Sequence, residues 1–394
     1  MNKSELMEEY EKFILLPDRQ AFEILLAGVA SHFMDRAVPF WVLYVGASGS
    51  GKSTAIEIFA KHDRSLSLDS WTRATLLSGL DDIAPENQFI NMHDNKVWLV
   101  SDLSEAISNP NDKGEIMSQL RRVYDGRLDR GHGSTKGESH WEGKITFVVG
   151  VTDAIDREPT FNRDNALGER FSRVNVRGNE ARLEAAERAF DSRLSGRGNR
   201  VHLSQCADDF MDGVIDRACG YELFTPAWAR SQLITLGDTS SQLRTPIIGE
   251  GGGGFEHMPE PEFGTRLAQQ LGVLADTNCM LENRAELNAH DISLATRVAM
   301  DAVPRVRSRV LSALLNGAKN KAQISRFTHM PASTVNGVVD KLFALQVMDS
   351  STTTIYPEWV TKLEASGLAH KLTTAFPPSV DTWRVKPTEV GETN

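Results

Sequence analysis

The sequence predicts an α/β protein: a five-stranded, mostly parallel sheet, then a helical region, then a C-terminal helix-turn-helix unit with a wing. Three observations predict it. Residues 41–54, WVLYVGASGSGKST, form an apolar run that breaks into Gly46-x-x-x-x-Gly51-Lys52-Ser53. Between Pro39 and about Gly178, short apolar runs alternate with segments of helical period, as in a sheet whose strands are connected by helices. From Glu180 onward the period is helical, and residues 305–360 hold a compact succession of three helices and a polar, strand-like stretch.

Each element follows from local pattern. Residues 1–37 carry two amphipathic helices, over Lys3–Leu15 and Asp18–Met34. The α/β part, residues 38–178, has strands at Trp41–Val45, Ser65–Leu68, Val97–Val100, Ile145–Val151 and Arg173–Val176. A helical part spans 179–303. Within it, residues 221–261 carry four prolines and the run GEGGGG, which predicts a long mobile loop. Helices return at Phe263–Leu281 and Ile292–Val303, the latter with Asp291 placed to cap it. Residues 304–375 make the C-terminal unit, and 376–394 read as a loosely held tail.

Composition narrows the function classes. The chain has 394 residues, room for two or three domains, and a formal net charge of −10. That charge argues against coating nucleic acid by bulk attraction, so any DNA contact must come from a local basic patch. Cys206, Cys219 and Cys279 lie far apart in sequence and read as reduced thiols. No apolar run reaches membrane-spanning length, and MNKSELMEEYEK lacks signal-peptide character. The expectation is a cytoplasmic protein with no membrane partner.

The glycine-rich segment carries the chemistry. Its glycines let the backbone curl so that successive N–H groups face one anion, and a helix is expected to begin near Lys52. Lys52 would reach the β- and γ-phosphates of ATP, and the Ser53 hydroxyl would ligate Mg²⁺. Gly46, Ser48, Gly49, Ser50, Gly51, Lys52, Ser53 and Thr54 are therefore the nucleotide-contact candidates. The alternative is a glycine-rich turn with no ligand. Further on, KVWLVSDLSE places Asp102 just past an apolar strand, where it would order Mg²⁺ or, more simply, end a strand or cap a helix. A hydrolytic ATPase commonly follows this Asp with a water-polarising Glu. Leu103 stands there instead, which leaves Glu105 as the candidate base.

The run from Asp102 through LRRVYDGRLDRGHGSTKGESHWEGKITFVVGVTDAID to LGERFSRVNV resembles the AAA+ ATPases. More narrowly, it is similar to the branch with a β-hairpin inserted before the fourth strand, as in MCM helicases and sigma-54 activators. It also looks like a set of uncharacterised ATPases common in phages and mobile elements, through TLLSGL and EIMSQLRRVYDG. The resemblance spans roughly residues 38–303. It implies a γ-phosphate sensor at Thr152, with Asp153 as second choice, and an arginine finger at Arg170, with Arg173 as alternative. It implies a lid arginine at Arg266 that contacts the γ-phosphate of its own chain. It further implies self-association into a ring, a hexamer, with ATP between subunits.

DNA is the expected partner at two places. In the C-terminal unit the third helix, Ser333–Leu345, would enter the major groove and offer Ser333, Thr334, Asn336 and Lys341, with Arg305, Arg307 and Arg309 at the front edge. Protein docking is the alternative, since that helix carries few cations. In the charged hairpin around Arg127–Lys144, the expected contacts are Arg127, Arg130 and Lys136, near the tip; a solvated mixed-charge loop is the other reading. Three functions compete: an oligomeric ATPase that remodels or moves along DNA, a DNA-binding regulator switched by nucleotide, and a small-molecule kinase. The kinase leaves the arginine motif, the lid and the C-terminal unit unexplained.

Overall fold

The computed structural model of the chain describes residues 1–70, 72, 74–78, 83–103, 110–131, 138–157, 170–178, 181–191, 196–247 and 260–376. Helices α1 (Lys3–Phe13) and α2 (Arg19–Ser31) open it. Asn2 and Glu5 form a reciprocal capping box on α1, and Asp18 caps α2 through the Ala21 N–H. The α/β part follows as β1 (Trp41–Val45), α3 (Lys52–Glu57), β2 (Ser65–Ser67), α4 (Phe89–Met92), β3 (Lys96–Val100), α5 (Pro110–Tyr124), β4 (Arg127–Gly131), β5 (Glu138–Glu142), β6 (Ile145–Val151) and β7 (Phe171–Asn175). Five of these strands make one parallel sheet in the order β2-β3-β6-β1-β7, and β4 pairs with β5 as an antiparallel hairpin. β1 and β6 are buried along their whole length, which is why both are unbroken apolar runs.

The core beneath one sheet face is a cluster of tilted and edge-on aromatic rings. Trp41 lies 5.1 Å from Tyr124, 4.6 Å from Phe147 and 5.0 Å from Phe171, ring centre to ring centre. The Trp41 indole N–H donates to the Ile145 carbonyl at 2.8 Å, so the buried ring keeps its polar atom satisfied. Trp98 and Trp141 complete the cluster.

The helical part comprises α6 (Arg182–Asp191), α7 (Gly196–Ala218), α8 (Ala227–Arg244), α9 (Thr265–Leu281) and α10 (Ala289–Ala302). The predicted mobile loop at 221–261 is thereby corrected, because 18 of its residues form α8. Its four prolines lie outside that helix and frame it rather than break it. Asp291 does not cap α10 from outside. It is buried in the first turn and accepts from the Asn288 N–H at 2.8 Å, while the Asn288 side chain accepts from His290 N–H. Asn288 is the cap.

The chain divides into two compact units, residues 1–238 with 264–302 and residues 239–263 with 303–394, so the boundary falls inside α8. The first unit therefore unites the N-terminal helices, the α/β part and most of the helical part. The second contains α11 (Arg305–Leu315), α12 (Lys321–Thr328), α13 (Ala332–Ala344), the two-stranded β8 (Met348–Asp349) and β9 (Thr354–Ile355), α14 (Pro357–Ala365) and α15 (Leu368–Ala375). Among the described residues, no helix is long and apolar enough to cross a membrane.

Candidate functional site

The strand order explains why the glycine loop sits in a crevice. From β1 the chain crosses one way to β2, and from β6 it crosses the other way over β1 to β7. Loops at the carboxyl ends of such strands diverge and leave a cleft. The register aligns the ends. Val45 is level with Val151, and Val100 with Val149, so Gly46, Thr152 and Asp102 emerge at one level. The Gly46 N–H donates to the Val151 carbonyl at 3.1 Å and locks the loop to β6.

Gly49 and Gly51 have φ of +77° and +82°, a region that side chains with a Cβ avoid. At Gly46 an added Cβ would lie 2.9 Å from Ser50 Oγ and 3.1 Å from Val176 Cβ, so a side chain there would crowd both. Lys52 folds back over the loop and donates from Nζ to the Ala47 carbonyl at 2.8 Å. Burial pulls its amine below the ordinary range, and the neighbouring Asp102 and Asp153 carboxylates oppose that shift. Ser50 Oγ is buried with no hydrogen-bond partner among the described residues, and Ser53 is exposed. A cradle of backbone N–H groups, one cation, an orphaned hydroxyl and two hard oxygen ligands (Ser53 and Asp102) suits a magnesium-bound polyphosphate.

A cavity of about 910 Å³ opens from Ala47–Thr54. Its walls include residues that the motif does not reveal: Phe13, Ile14 and Pro17 ahead of α2, and Arg197 and Arg200 on α7. Arg177 also lines it, anchored by Asp301 at 2.9 Å. Behind it, Arg297 binds Asp18 at 2.8 Å and Asp301 at 2.9 Å. Burial alone would lower the Arg297 guanidinium, but those carboxylates hold it above its ordinary value. This buried lattice joins α2, the end of β7 and α10.

Other predicted residues fall elsewhere. Leu103 is fully buried in the sheet core, and Glu105 lies outside the described residues. Thr152 is half-buried at the end of β6, and Asp153 is exposed. Arg266 is corrected: its guanidinium lies 6.0 Å from the ring of Tyr124, which meets Trp41 edge-on at the start of β1. That is the opposite end of a strand about 13 Å long, too far for an own-chain γ-phosphate contact. Arg170 shares that end, 5.8 Å from the same ring and 3.5 Å from Asp125. It cannot reach its own chain's loop, so a phosphate contact would have to be with another subunit's nucleotide. Arg173 is held by Asp156 at 3.0 Å and by Asn175.

The hairpin forms; Arg130 lies near its tip, one pair from the last described pair, Gly131 and Glu138, but Arg127 does not. Arg127 pairs with Glu142 at the open end and bonds Asp129 at 2.7 Å; Arg130 turns inward to Glu115 at 2.9 Å and the Leu77 carbonyl at 2.8 Å. Lys136 lies outside the described residues. In the second unit Ser333, Thr334 and Asn336 share an exposed face of α13 with Asp340, while Val335, Val338 and Leu342 face inward. Lys341, seven residues on from Thr334 and on the same side of the helix, is half-buried, and burial first and then Arg307 lower its amine. Arg307 is no front-edge cation. It is buried and donates to the Leu243 and Thr245 carbonyls at 2.6 and 2.8 Å.

No protein-family model matches the chain, and a search of curated proteins finds none similar to it.

Proposed function

We propose that the chain is an ATP-binding and hydrolysing ATPase of the AAA+ type that assembles into a ring, a hexamer, and acts on DNA in replication or mobile-element maintenance. One observation carries the proposal. The glycine loop and Lys52 line a cavity of about 910 Å³ at the carboxyl end of a parallel sheet ordered β2-β3-β6-β1-β7, and Asp102 and Thr152 leave their strands at the level of that loop.

On this reading the loop N–H groups bind the β- and γ-phosphates, and Lys52 exchanges the Ala47 carbonyl for phosphate oxygens. Ser53 and Asp102 would hold Mg²⁺, which offsets phosphate charge when bound. Thr152 orients the γ-phosphate or its attacking water. The base is the role assigned to Glu105. Arg197 and Arg200, which line the cavity, would on this reading reach the triphosphate in place of Arg266. Arg170 serves the neighbouring subunit, as a guanidinium that stays charged and bridges two phosphate oxygens. Helices α11–α13 with the β8–β9 ribbon would form the winged helix, and the exposed polar face of α13 would enter the major groove.

Sedimentation with and without a non-hydrolysable ATP analogue tests the assembly. A ring that forms only with nucleotide is expected, and a monomer indifferent to nucleotide would overturn it. Arg170→Ala should keep ATP binding yet lose turnover on the order of a thousandfold, as an arginine supplied in trans does.

A second reading is a nucleotide-switched DNA-binding regulator. The burial of Leu103 in the core favours it, since no carboxylate can occupy that position without disrupting the packing. It predicts tight ATP binding with negligible turnover. DNA-stimulated phosphate release that disappears in Lys52→Ala would exclude it.

A further inference from the structure

Outside the nucleotide cavity, three ligand-type atoms converge between α1 and α7. His202 and Cys206, four residues apart on α7, present their side chains on one helix face, and Glu9 of α1 meets them. The His202 ring nitrogen Nε2 lies 3.1 Å from Glu9 Oε2 and 3.6 Å from Cys206 Sγ, and all three atoms fall within 4.8 Å of one another.

A single imidazole nitrogen has one in-plane valence, either a proton to donate or a lone pair to offer. It therefore cannot serve both the carboxylate and the thiol at full strength. A cation at the centre can. Tetrahedral zinc bonds of ~2.0–2.3 Å put neighbouring ligand atoms ~3.3–3.8 Å apart, close to the spacings on either side of His202.

The surroundings support the set. Glu9 uses its other oxygen, Oε1, to bind Lys12 at 2.5 Å, which leaves Oε2 for the His202 side. The ring of Phe13 meets the His202 ring edge-on at 5.7 Å and fixes its tilt. Cys206 is buried, whereas His202 is half-exposed, so solvent reaches the side on which a fourth, water ligand would complete the sphere.

We propose that Glu9, His202 and Cys206 form a binding site for a zinc-class divalent ion that clamps α1 to α7. Mixed thiolate, imidazole and carboxylate donors select zinc or its cobalt surrogate over magnesium or calcium. Binding replaces the Cys206 S–H bond with a metal–sulfur bond and releases that proton to solvent. The clamp holds the helix that carries Arg197 and Arg200 into the cavity. The site itself does not depend on what the cavity binds.

The test is cobalt titration of the chelator-treated, full-length chain, read by absorption. One Co²⁺ per chain should give a thiolate-to-cobalt charge-transfer band and intense visible bands of low coordination number. Cys206→Ser should remove the charge-transfer band, and Cys219→Ser, at an exposed thiol, should retain it. Zinc should displace the cobalt and raise the unfolding temperature of the wild type. Glu9→Gln should weaken the metal on the order of a hundredfold, the loss of one of three protein ligands. If Cys206→Ser fails to fold by circular dichroism, His202→Gln, at a half-exposed position, replaces it and should also lose low-coordinate binding. No charge-transfer band in the wild type, or a band that survives Cys206→Ser or vanishes in Cys219→Ser, overturns the site.

Discussion

At the carboxyl end of the parallel sheet Lys52 faces an open cavity, whereas at the amino end Arg170 and Arg266 lie against the ring of Tyr124. Both ends hold cations near carboxylates, yet the setting differs. Lys52 takes a backbone carbonyl as its partner, with Asp102 and Asp153 acting on it only through space. Such a cation can change partners at little cost when a polyphosphate arrives. Arg170 is tied to Asp125 and to an aromatic face, contacts that a phosphate in its own chain could not replace from the far end of β1. Position relative to the sheet, rather than residue type, decides which cation can serve the nucleotide.

The largest effect that would break this contrast is at Lys52. Lys52→Ala removes two charge-assisted hydrogen bonds to phosphate, so ATP affinity should fall about a thousandfold, some 4 kcal/mol. Calorimetry with magnesium present measures it. A variant that binds ATP as the wild type does would mean that the loop is only a turn.

The next effect belongs to the amino end. His32 is buried against the Thr146 hydroxyl at 3.1 Å near the start of β6, and burial pushes its pKa down to about 4 from 6.5. The fold therefore refuses a proton that the unfolded chain accepts. Its contribution is fully present above pH 6.5 and is lost as pH falls toward 4. Between pH 7 and 4.5 the wild type should lose about 2 kcal/mol more stability than His32→Gln, by denaturant unfolding. Parallel pH profiles for the two proteins would contradict this.

How far the sequence foretold these two ends differs sharply. The carboxyl end was legible because β1, its glycine turn and α3 are contiguous, so the motif and its structural context lie in one stretch. All five strands of the sheet were legible too, β1, β3 and β6 because burial on both faces leaves continuous apolar runs. Arg266 was misplaced because helical period tells which face of α9 is buried, but not which end of a distant sheet it meets. Arg197 and Arg200 escaped notice for another reason. Gly196 and Gly198 weigh against a helix, yet α7 starts at Gly196 and turns both arginines toward the cavity.

Replacing those two arginines sharpens the comparison on the carboxyl side. The double variant Arg197→Ala, Arg200→Ala should weaken ATP roughly tenfold, about 1.4 kcal/mol for a charged contact at a solvent-open rim. ADP should weaken less if they meet the γ-phosphate. Unchanged ATP affinity would return both to the surface.

The smallest effect is the most discriminating, because it asks for no change where the family resemblance implies a large one. Arg266→Ala removes a guanidinium lying over Tyr124, a contact worth about 0.5–1 kcal/mol at a partly exposed site. Unfolding temperature should therefore drop slightly. ATP affinity of the single chain should stay at the wild-type value, since Tyr124 and Trp41 mark the far end of β1. A lid arginine on its own γ-phosphate would instead produce a loss comparable to that of the Arg197, Arg200 pair, with stability untouched. The two variants, measured side by side, assign the γ-phosphate contact to α7 or to α9, and with it the helix that closes over the nucleotide.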